Sequence, residues 1–493
     1  MSSRISRRTL LRGAAAVAGA GAAGALAGCS SDDTSGGTGS KAQTTITYWD
    51  WYASQAGWVD NEIKLFQQVH PGIAVKKTTQ VSDKYADLVS LAYRSNNPPD
   101  ILMIPKSPQL SQQVTQDWLL PVDKWATKDW QSRFPQSSFV EGVDMFDGKV
   151  YTAPFAAPAP SLQLYIHHKV FKDAGLTESD GSVKLPKTWD DVTHAAEAIA
   201  SKSGGKVAPF GFGNSTNTTL AWWLDLFVRG AGSPGGAAVG GIDGMDYRVG
   251  QWTFGTDRNY ADVINLLLEW KNKNWFYPNS MSISDEQARA FFERGRFGMT
   301  VGGVWNQPEW TEHKFTDYSL VTLPAPSGDP KALFYGPPGG KFVAVSSKSK
   351  HADEAWAWFD WLYSKDAGKR WVEQGQGLSV YADNNDPKGV TFAPFAQYVA
   401  MSGTAVVGPQ PTIRNPQLTK LELPAVKPDI NDVLSGIWTG QLKDVQGTLT
   451  SLTDKMNQAL SDAVKKVGTG ASLKDFAFPD WDLTKPYTTK PGA

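Results

Sequence analysis

The stretch TITYWDWYASQAGW, residues 45–58, places a short β-forming run directly before a group of aromatic rings. Thr45–Tyr48 are strand formers, because β-branched and aromatic side chains fit the pleated backbone of a sheet. Trp49, Asp50 and Trp51 follow at the point where that strand should end. The stretch therefore predicts a strand whose carboxyl end presents indole rings beside one carboxylate.

The segments after this strand alternate between helical and strand periodicity. Apolar residues recur at helical spacing before His70–Gly72 and again after Ser82, which can cap a helix. Ile73–Thr78 and Ile101–Ile104 have the composition of strands. The inward positions expected for the two helices are Val59, Ile63, Phe66 and Val69 in the first and Tyr85, Leu88 and Leu91 in the second. This βαβαβ order predicts an α/β fold.

The middle of the chain contains a proline-rich crossing between two predicted strands. Val150–Ala153 and Leu162–His167 are the strands, and Pro154, Pro158 and Pro160 stiffen the chain around and between them. A stiff connection of this kind suits a passage from one domain to another.

The later part of the chain repeats the alternation of helices and strands. Its predicted elements are a helix capped by Thr188, a helix marked by Tyr260, Ile264, Leu267 and Leu268, a helix with Ala288, Phe291 and Phe292 on one face, strands at Phe297–Val301 and Val321–Pro324, a strand ending at Val345, a helix from Asp353, and a final helix with Leu449, Leu452, Met456, Ala459 and Ala463 as its stripe. The Gly-rich stretch 229–255 is predicted to be a long surface excursion. It lacks the Gly-Lys-Ser/Thr ending of a phosphate-binding loop.

The N-terminal segment has the features of an export signal. Residues 1–28 combine four arginines with a run of small residues that is short and weakly apolar for a membrane span. SRRTLL (6–11) resembles the twin-arginine signal, and LAGC (26–29) resembles the bacterial lipobox, in which the cysteine is lipidated. Residues 29–44 have the composition of a flexible tether. We therefore expect an extracytoplasmic body anchored to the cell membrane by lipid at Cys29.

The composition argues against nucleic acid as a partner and favours carbohydrate. The formal net charge is −1, and about −5 without the arginines of the signal, with no basic stripe. The chain holds 20 Trp, 15 Tyr and 22 Phe. Such rings stack on the C–H faces of sugars, and an indole N–H needs a hydrogen-bond partner. So many rings suggest that some of them line a binding cleft.

No motif of a catalytic or metal centre occurs in the sequence. The histidines are scattered, and the adjacent His167 and His168 would point to opposite faces of a strand. His-Glu-x-x-His, Gly-x-Ser-x-Gly and EF-hand patterns are absent. The acids considered for glycoside hydrolysis are Asp50, Asp100, Asp144 and Asp147. We expect a binding protein rather than an enzyme, with no cofactor and no metal.

Eight stretches, taken in order, resemble the extracellular solute-binding proteins of ATP-driven importers, and the nearest branch is the carbohydrate-binding group typified by maltose-binding protein. They are ITYWDW, EIKLFQQVHPGIAVKKT, NNPPDILMI, DGKVYTAPF, LYIHHKVFKDAGL, PKTWDDV, ARAFFERGRFGMTVGGVW and GGKFVAVSSKSKHADEAWAWFDWL. The resemblance implies a type II periplasmic-binding-protein-like fold, in which two hinge-linked α/β lobes close on a solute in the cleft between them. Lobe 1 would comprise 45–156 and 321–370, and lobe 2 would comprise 157–320 and 371–493.

The same resemblance implies the partners and the binding residues. A sugar or oligosaccharide would be the solute, the permease of an ABC importer would be the docking partner, and the receptor would act as a monomer. Trp305 would be a stacking platform, and Asp50 would accept sugar hydroxyls. The full set of predicted ligand contacts is Trp49, Asp50, Trp51, Gln80, Lys106, Ser107, Trp222, Trp223, Trp305, Gly339, Gly340, Gln376 and Tyr381.

Two other functions stay open on the sequence. A receptor of the same fold could take a polyol phosphate, an oligopeptide or an iron chelate, and a cluster of arginines in the cleft would favour an anionic solute. A secreted glycan-acting enzyme is the third class, and the release of reducing sugar would reveal it.

Overall fold

The computed structural model describes residues 43–53, 56–135, 138–237, 244–337 and 340–490. The predicted signal peptide, the tether up to residue 42, the lipidation site Cys29 and the predicted contact Gly339 lie outside these residues. Within them, no helix is both long enough and apolar enough to cross a membrane.

The described chain is a mixture of strands and helices. The strands are β1 (Thr44–Asp50), β2 (Ile73–Thr79), β3 (Ile101–Met103), β4 (Met145–Phe146), β5 (Lys149–Val150), β6 (Pro154–Ala156), β7 (Gln163–His167), β8 (Ala208–Phe210), β9 (Phe297–Gly302), β10 (Tyr318–Val321), β11 (Phe334–Gly336), β12 (Gly340–Lys341), β13 (Val343–Val345) and β14 (Ala405–Val407). The helices are α1 (Ala56–Val69), α2 (Tyr85–Arg94), α3 (Leu110–Thr115), α4 (Lys128–Gln131), α5 (His168–Asp173), α6 (Trp189–Ser203), α7 (Thr219–Ala231), α8 (Arg258–Asn272), α9 (Asp285–Glu293), α10 (Gln307–Glu312), α11 (Ala352–Leu362), α12 (Lys365–Glu373), α13 (Ala393–Ala400), α14 (Pro411–Arg414), α15 (Ile430–Thr439) and α16 (Val445–Val467).

The first sheet has the strand order β13-β3-β1-β2. β1 pairs in parallel with β2 and β3, and β13 runs antiparallel to β3. Ile46 and Tyr48 alternate with more exposed residues along β1 and are fully buried. The βαβαβ opening predicted from periodicity is therefore confirmed.

The second sheet has the strand order β10-β7-β9-β8. β7 runs antiparallel to both of its neighbours, and β8 runs parallel to β9. Residues 157–162, which we call the crossing segment, connect β6 beside the first sheet to β7 in the second. The carboxyl end of β9 thus lies beside the amino end of β7, where Gly302 pairs with Gln163.

Two clusters of buried apolar side chains form the interior. The first core surrounds the first sheet, with Ile46, Leu102 and Trp358 among its members. The second core contains Trp223 and Trp270 and packs helices α6, α7, α8, α15 and α16 against the second sheet. The second sheet contributes alternate residues of β7 to both cores, because side chains of a strand point alternately to its two faces.

The helix cap predicted at Thr188 is confirmed, whereas Ser82 does not cap α2, because it begins a 3-10 turn that precedes the helix. Thr188 forms a capping box with Asp191, and Gly204 ends α6 in the left-handed conformation. Ser284 forms a second box with Gln287 at the start of α9. These caps satisfy backbone groups that have no partner within the helix.

Several predicted positions differ from the structure. The inward residues of α2 are Tyr85, Val89 and Ala92, and Leu91 is 54% exposed. The strand predicted at Val321–Pro324 ends at Val321, since β10 spans Tyr318–Val321. Of the predicted strand Val150–Ala153, only Val150 lies in a strand, at the end of β5, and residues 151–153 connect β5 to β6.

The Gly-rich stretch 229–255 is not a surface excursion in its described parts. Met245, Trp252 and Phe254 are buried in the second core. A Cβ on Gly235 would lie 2.3 Å from the carbonyl oxygen of Gly244, so the glycine permits close packing of two backbones. The prediction was wrong because the glycines serve chain packing here and not solvent exposure.

The segment after α13 contacts elements of both cores. The turn Pro416–Lys420 packs against α3 and against α16, and its Leu418 belongs to the second core. Thr412 packs closely on Gly142, where an added Cβ would lie 2.9 Å from the Thr412 carbonyl oxygen. The lobe boundaries proposed from the sequence stay a prediction.

Candidate functional site

The carboxyl ends of the three parallel strands meet at one edge of the first sheet, which we call the first edge. The Tyr85 hydroxyl donates to the carbonyl oxygens of Trp49 (3.1 Å) and Met103 (2.7 Å). The backbone amide of Gln80 donates to the carbonyl oxygen of Asp50 at 2.8 Å. Because open α/β sheets bind ligands at the carboxyl ends of their strands, this edge is a candidate binding surface.

Aromatic rings from the stretch after β1 line the first edge. Trp51 lies 4.8 Å from Tyr85, measured between ring centroids. Tyr52 stacks on Phe342 at 5.6 Å and on Trp371 at 5.8 Å. Trp49, Trp51 and Tyr52 each keep part of their surface exposed.

Asp50 does not present its carboxylate to solvent. Its side chain is fully buried, Oδ1 accepts a hydrogen bond from the Tyr52 amide at 3.2 Å, and Oδ2 is buried without a partner. Burial raises the pKa of Asp50, and the nearby Thr79 hydroxyl and Lys77 ammonium oppose that rise. The predicted role as acceptor for sugar hydroxyls is therefore corrected: Asp50 shapes the turn that carries Trp51 and Tyr52.

The loop after β3 is held by hydrogen bonds from α3, and its Lys106 and Ser107 are exposed. The buried side chain of Gln113 donates to the carbonyl oxygens of Pro105 (3.1 Å) and Pro108 (2.8 Å). The loop therefore holds its shape on α3 and presents two polar side chains at the first edge.

The residues predicted in the later loops lie beside β6. Gly340 pairs with Ala156, and residues 379–380 lie along the other side of β6. Gln376 is buried. The Tyr381 hydroxyl donates to the carbonyl oxygen of Tyr363 at 2.9 Å. Gln376 and Tyr381 are therefore both buried, and their side chains contact Gln374, Phe134 and Tyr363.

The second sheet presents a pair of tryptophans near the carboxyl end of β9. Trp305 and Trp222 meet edge to face, with ring centroids 5.2 Å apart and an angle of 67° between the planes. Both are partly exposed. Gly303 is required by this turn, because a Cβ at that position would lie 2.0 Å from the Trp305 ring.

Trp223, in contrast, belongs to the second core. It is fully buried and packs on Phe210, Phe227 and Phe276 with centroid distances of 5.5, 6.3 and 5.5 Å. Its inclusion among the ligand contacts is therefore corrected, since no surface of the ring is available to a solute.

A buried ionic network lies next to the Trp305 turn. Arg289 is 7% exposed and its guanidinium contacts the carboxylates of Asp285 and Glu309, the latter at 2.9 Å. The network joins α9 to α10, which begins two residues after Trp305. Burial raises the pKa of Asp285 to about 6, although Arg289 opposes the rise.

This pKa predicts a pH dependence of stability that removal of the Asp285 carboxyl should abolish. The folded value of about 6 exceeds the ordinary 3.8, so the folded protein binds this proton more tightly than the unfolded chain. Relative to Asp285→Asn, the wild-type protein should gain unfolding free energy as the pH falls from about 6 to about 4. Urea unfolding at a series of pH values measures this difference.

Asp482→Asn is the control for this titration. Asp482 is exposed, and hydrogen bonds from Lys485 and Thr484 lower its pKa to about 2. Its contribution should therefore change below pH 4 and stay constant between pH 4 and 6. A wild-type profile parallel to that of Asp285→Asn across this range would contradict the assignment.

The described part of the chain contains no group of three or more His, Cys, Asp or Glu side chains suited to a metal ion. Burial lowers the pKa of His167 and of His168, which favours their neutral forms.

Some residues that build the site were absent from the predicted set. Tyr52 belongs to the aromatic stretch 45–58, so the composition of that stretch was a usable signal. Tyr85, Gln113 and Arg289 act through long-range hydrogen bonds and ion pairs. No local pattern in the sequence announces such partners.

The sequence is similar to a family of known proteins. The model of the family described as bacterial extracellular solute-binding protein matches residues 52–369. A Brucella abortus (strain 2308) chain named as a binding protein is 22% identical over 345 residues, 67% of this chain and 74% of its own.

Solved structures share the fold. The GacH receptor of Streptomyces glaucescens, solved unliganded and with acarbose, matches with a TM-score of 0.63 at 16% identity, over 85% of this chain and 99% of its own. An ABC transporter solute-binding protein from Thermotoga lettingae with bound α-D-tagatose matches with a TM-score of 0.62 at 19% identity, over 85% and 100%. The expected two-lobed α/β fold is confirmed, and the chain belongs to the bacterial extracellular solute-binding protein family.

Proposed function

We propose that this protein is the receptor of an ABC importer that captures a sugar or oligosaccharide between the two sheets and delivers it to a permease. The observation that carries the proposal is the partly exposed Trp222–Trp305 pair at the carboxyl end of β9. Two indole rings held edge to face offer a flat apolar surface and N–H donors, which is the combination that a sugar ring needs.

The first edge supplies the complementary surface in this proposal. Its rings would contact the other face of the sugar, while the exposed Lys106 and Ser107 and the side-chain amide of Gln80 would reach its hydroxyls. A solute buried between two walls is oriented by a few polar groups. The proposed contacts are Trp49, Trp51, Tyr52, Gln80, Lys106, Ser107, Trp222, Trp305 and Gly340, with Gln376 and Tyr381 as support.

Relatives support a sugar as the solute. The GacH receptor was solved with acarbose and the Thermotoga lettingae protein with α-D-tagatose. The lobes 45–156 with 321–370 and 157–320 with 371–493 would close on the solute by a hinge motion in the crossing segment. We further propose a monomer that is exported through its twin-arginine signal, anchored by lipid at Cys29 and without catalytic activity.

One observation favours a second candidate solute. Lys106 is an exposed cation on a braced loop at the first edge. An ammonium there would also suit an anionic solute such as a polyol phosphate, since phosphate oxygens accept strong hydrogen bonds from cations.

A thermal-shift screen distinguishes the two. A ligand that binds only the folded state stabilises it by about 2.7 kcal/mol at a concentration 100 times its dissociation constant. We expect neutral mono- or oligosaccharides to raise the melting temperature, with polyol phosphates and oligopeptides as the comparison sets. A rise confined to phosphates or peptides would refute the sugar assignment.

A further inference from the structure

In the Trp305 turn, residues Gly303–Asn306, the Gly303 carbonyl is held from two directions. The Gly303 carbonyl oxygen accepts hydrogen bonds from the Tyr165 hydroxyl at 2.6 Å and from the backbone amide of Asn306 at 3.1 Å. The second bond closes the turn that carries Trp305. The first comes from β7, a different strand, and fixes the turn on the sheet.

Tyr165 is placed for this contact by the sheet and not by its own loop. It is fully buried on β7, opposite Thr300 of β9, with its ring 5.1 Å from Trp310 and 5.7 Å from Tyr318. A buried phenol in such packing has little freedom to turn. Its hydroxyl is therefore a rigid donor at a fixed point beneath the turn.

The same hydroxyl lies close to a side chain that holds the crossing segment. It lies 3.4 Å from Gln163 Oε1, and Gln163 Nε2 donates to the carbonyl oxygen of Pro160 at 2.8 Å. Pro160 lies in the crossing segment between β6 and β7. Gln163 is therefore hydrogen-bonded to the crossing segment and lies next to the Tyr165 hydroxyl, whose single proton is donated to the Gly303 carbonyl.

From these contacts we infer that Tyr165 is a positioning residue for solute capture, which rests on the function proposed above. Its hydroxyl holds the Gly303 carbonyl, and through it the indole of Trp305, in the orientation that binds the sugar. It does not touch the solute. Removing the hydroxyl leaves a buried carbonyl with one acceptor site unused and frees the turn to move.

The structure offers a chemically matched control in Tyr260. It is also buried, and its hydroxyl donates to the carbonyl oxygen of Gly236 at the same distance of 2.6 Å. Tyr165→Phe and Tyr260→Phe each delete one oxygen and leave one glycine carbonyl without that donor. Both should lower the melting temperature by similar amounts, so stability alone cannot separate them.

The test measures local order and solute affinity of the full chain in both variants. In hydrogen–deuterium exchange without solute, a peptide spanning residues 302–310 should exchange faster in Tyr165→Phe than in Tyr260→Phe or wild type. Calorimetry with the best sugar of the thermal screen should give about tenfold weaker affinity for Tyr165→Phe and an unchanged value for Tyr260→Phe.

The possible outcomes separate this inference from the proposed function. Unchanged exchange in 302–310, or affinities reduced equally in both variants, overturns the role of Tyr165. If the wild-type protein binds no sugar, the proposed function fails, and the exchange result still decides whether Tyr165 orders the turn.

Discussion

Replacing Trp305 by Ala is expected to weaken sugar binding by about 30- to 700-fold while the protein stays folded. Central aromatic contacts that are truncated to Ala cost about 2–4 kcal/mol, and each 1.4 kcal/mol is a factor of ten in affinity. The same substitution also removes the edge-to-face partner of Trp222. Isothermal titration with the sugar found in the thermal screen measures the change.

Trp356→Ala is the control for this experiment. Trp356 is also a partly buried tryptophan, but it lies on α11 and stacks on Trp125 at 5.6 Å and on Phe359 at 5.0 Å. Its removal should cost stability through lost packing and leave the affinity unchanged. An affinity that is preserved in Trp305→Ala, or reduced equally in both variants, would contradict the stacking role.

Replacing Arg229 by Met is expected to lower the free energy of unfolding by about 3–5 kcal/mol, because one partner of a buried ion pair is left uncompensated. The Arg229 Nε donates to Asp225 Oδ1 at 2.7 Å, and both side chains are less than a tenth exposed. The guanidinium also donates to the carbonyl oxygens of Pro234 and Gly235. The variant therefore leaves a buried carboxylate and two buried carbonyls without these donors.

The chain contains an arginine–aspartate pair in an exposed setting, with the order of the two residues reversed. Arg258 and Asp262 are also four residues apart on a helix, with side chains 89% and 40% exposed. Arg258→Met should change the unfolding free energy by less than about 0.5 kcal/mol, since exposed pairs contribute little. The double variant Asp225→Leu/Arg229→Met removes the Asp225 carboxylate together with the Arg229 guanidinium. It should therefore recover part of the unfolding free energy that Arg229→Met alone loses. If Arg229→Met and Arg258→Met lowered the free energy of unfolding by equal amounts in urea, the role of the buried pair would be refuted.

Local periodicity was sufficient to predict the elements with a clear apolar repeat, but not short ones such as β4, β11, α3 and α14. The strands β1, β2 and β3 and the helices α6, α8 and α16 follow from apolar spacing and caps, which depend on neighbours in sequence. The phase of α2 could not be fixed in this way. Tyr85 is compatible with inward partners at three- or four-residue spacing, and tertiary packing selects Val89 and Ala92.

The candidate site could be located from the sequence but not oriented. Adjacent residues differ in the face they present: Trp49 is partly exposed while Asp50 is buried, and Trp222 is partly exposed while Trp223 is buried. The neighbours in each pair point in different directions on a strand or a helix, and the sequence does not say which one faces the core. For the same reason the carboxylate was assigned a contact that the ring beside it is better placed to make.

Contacts between distant segments were beyond any local pattern. The bond from Tyr165 to the Gly303 carbonyl spans 138 residues, and the Gly142–Thr412 contact joins segments still farther apart in sequence. Such contacts form only when the tertiary structure brings distant segments together, so no local pattern predicts them.

A crystal structure of the protein with the tightest-binding sugar of the thermal screen tests the central claim most directly. The account predicts a sugar ring stacked on Trp305, with the opposite side of the molecule against the rings of Trp49, Trp51 and Tyr52. A solute bound away from Trp305, or a sugar held by polar contacts alone with no indole against its ring, would contradict it.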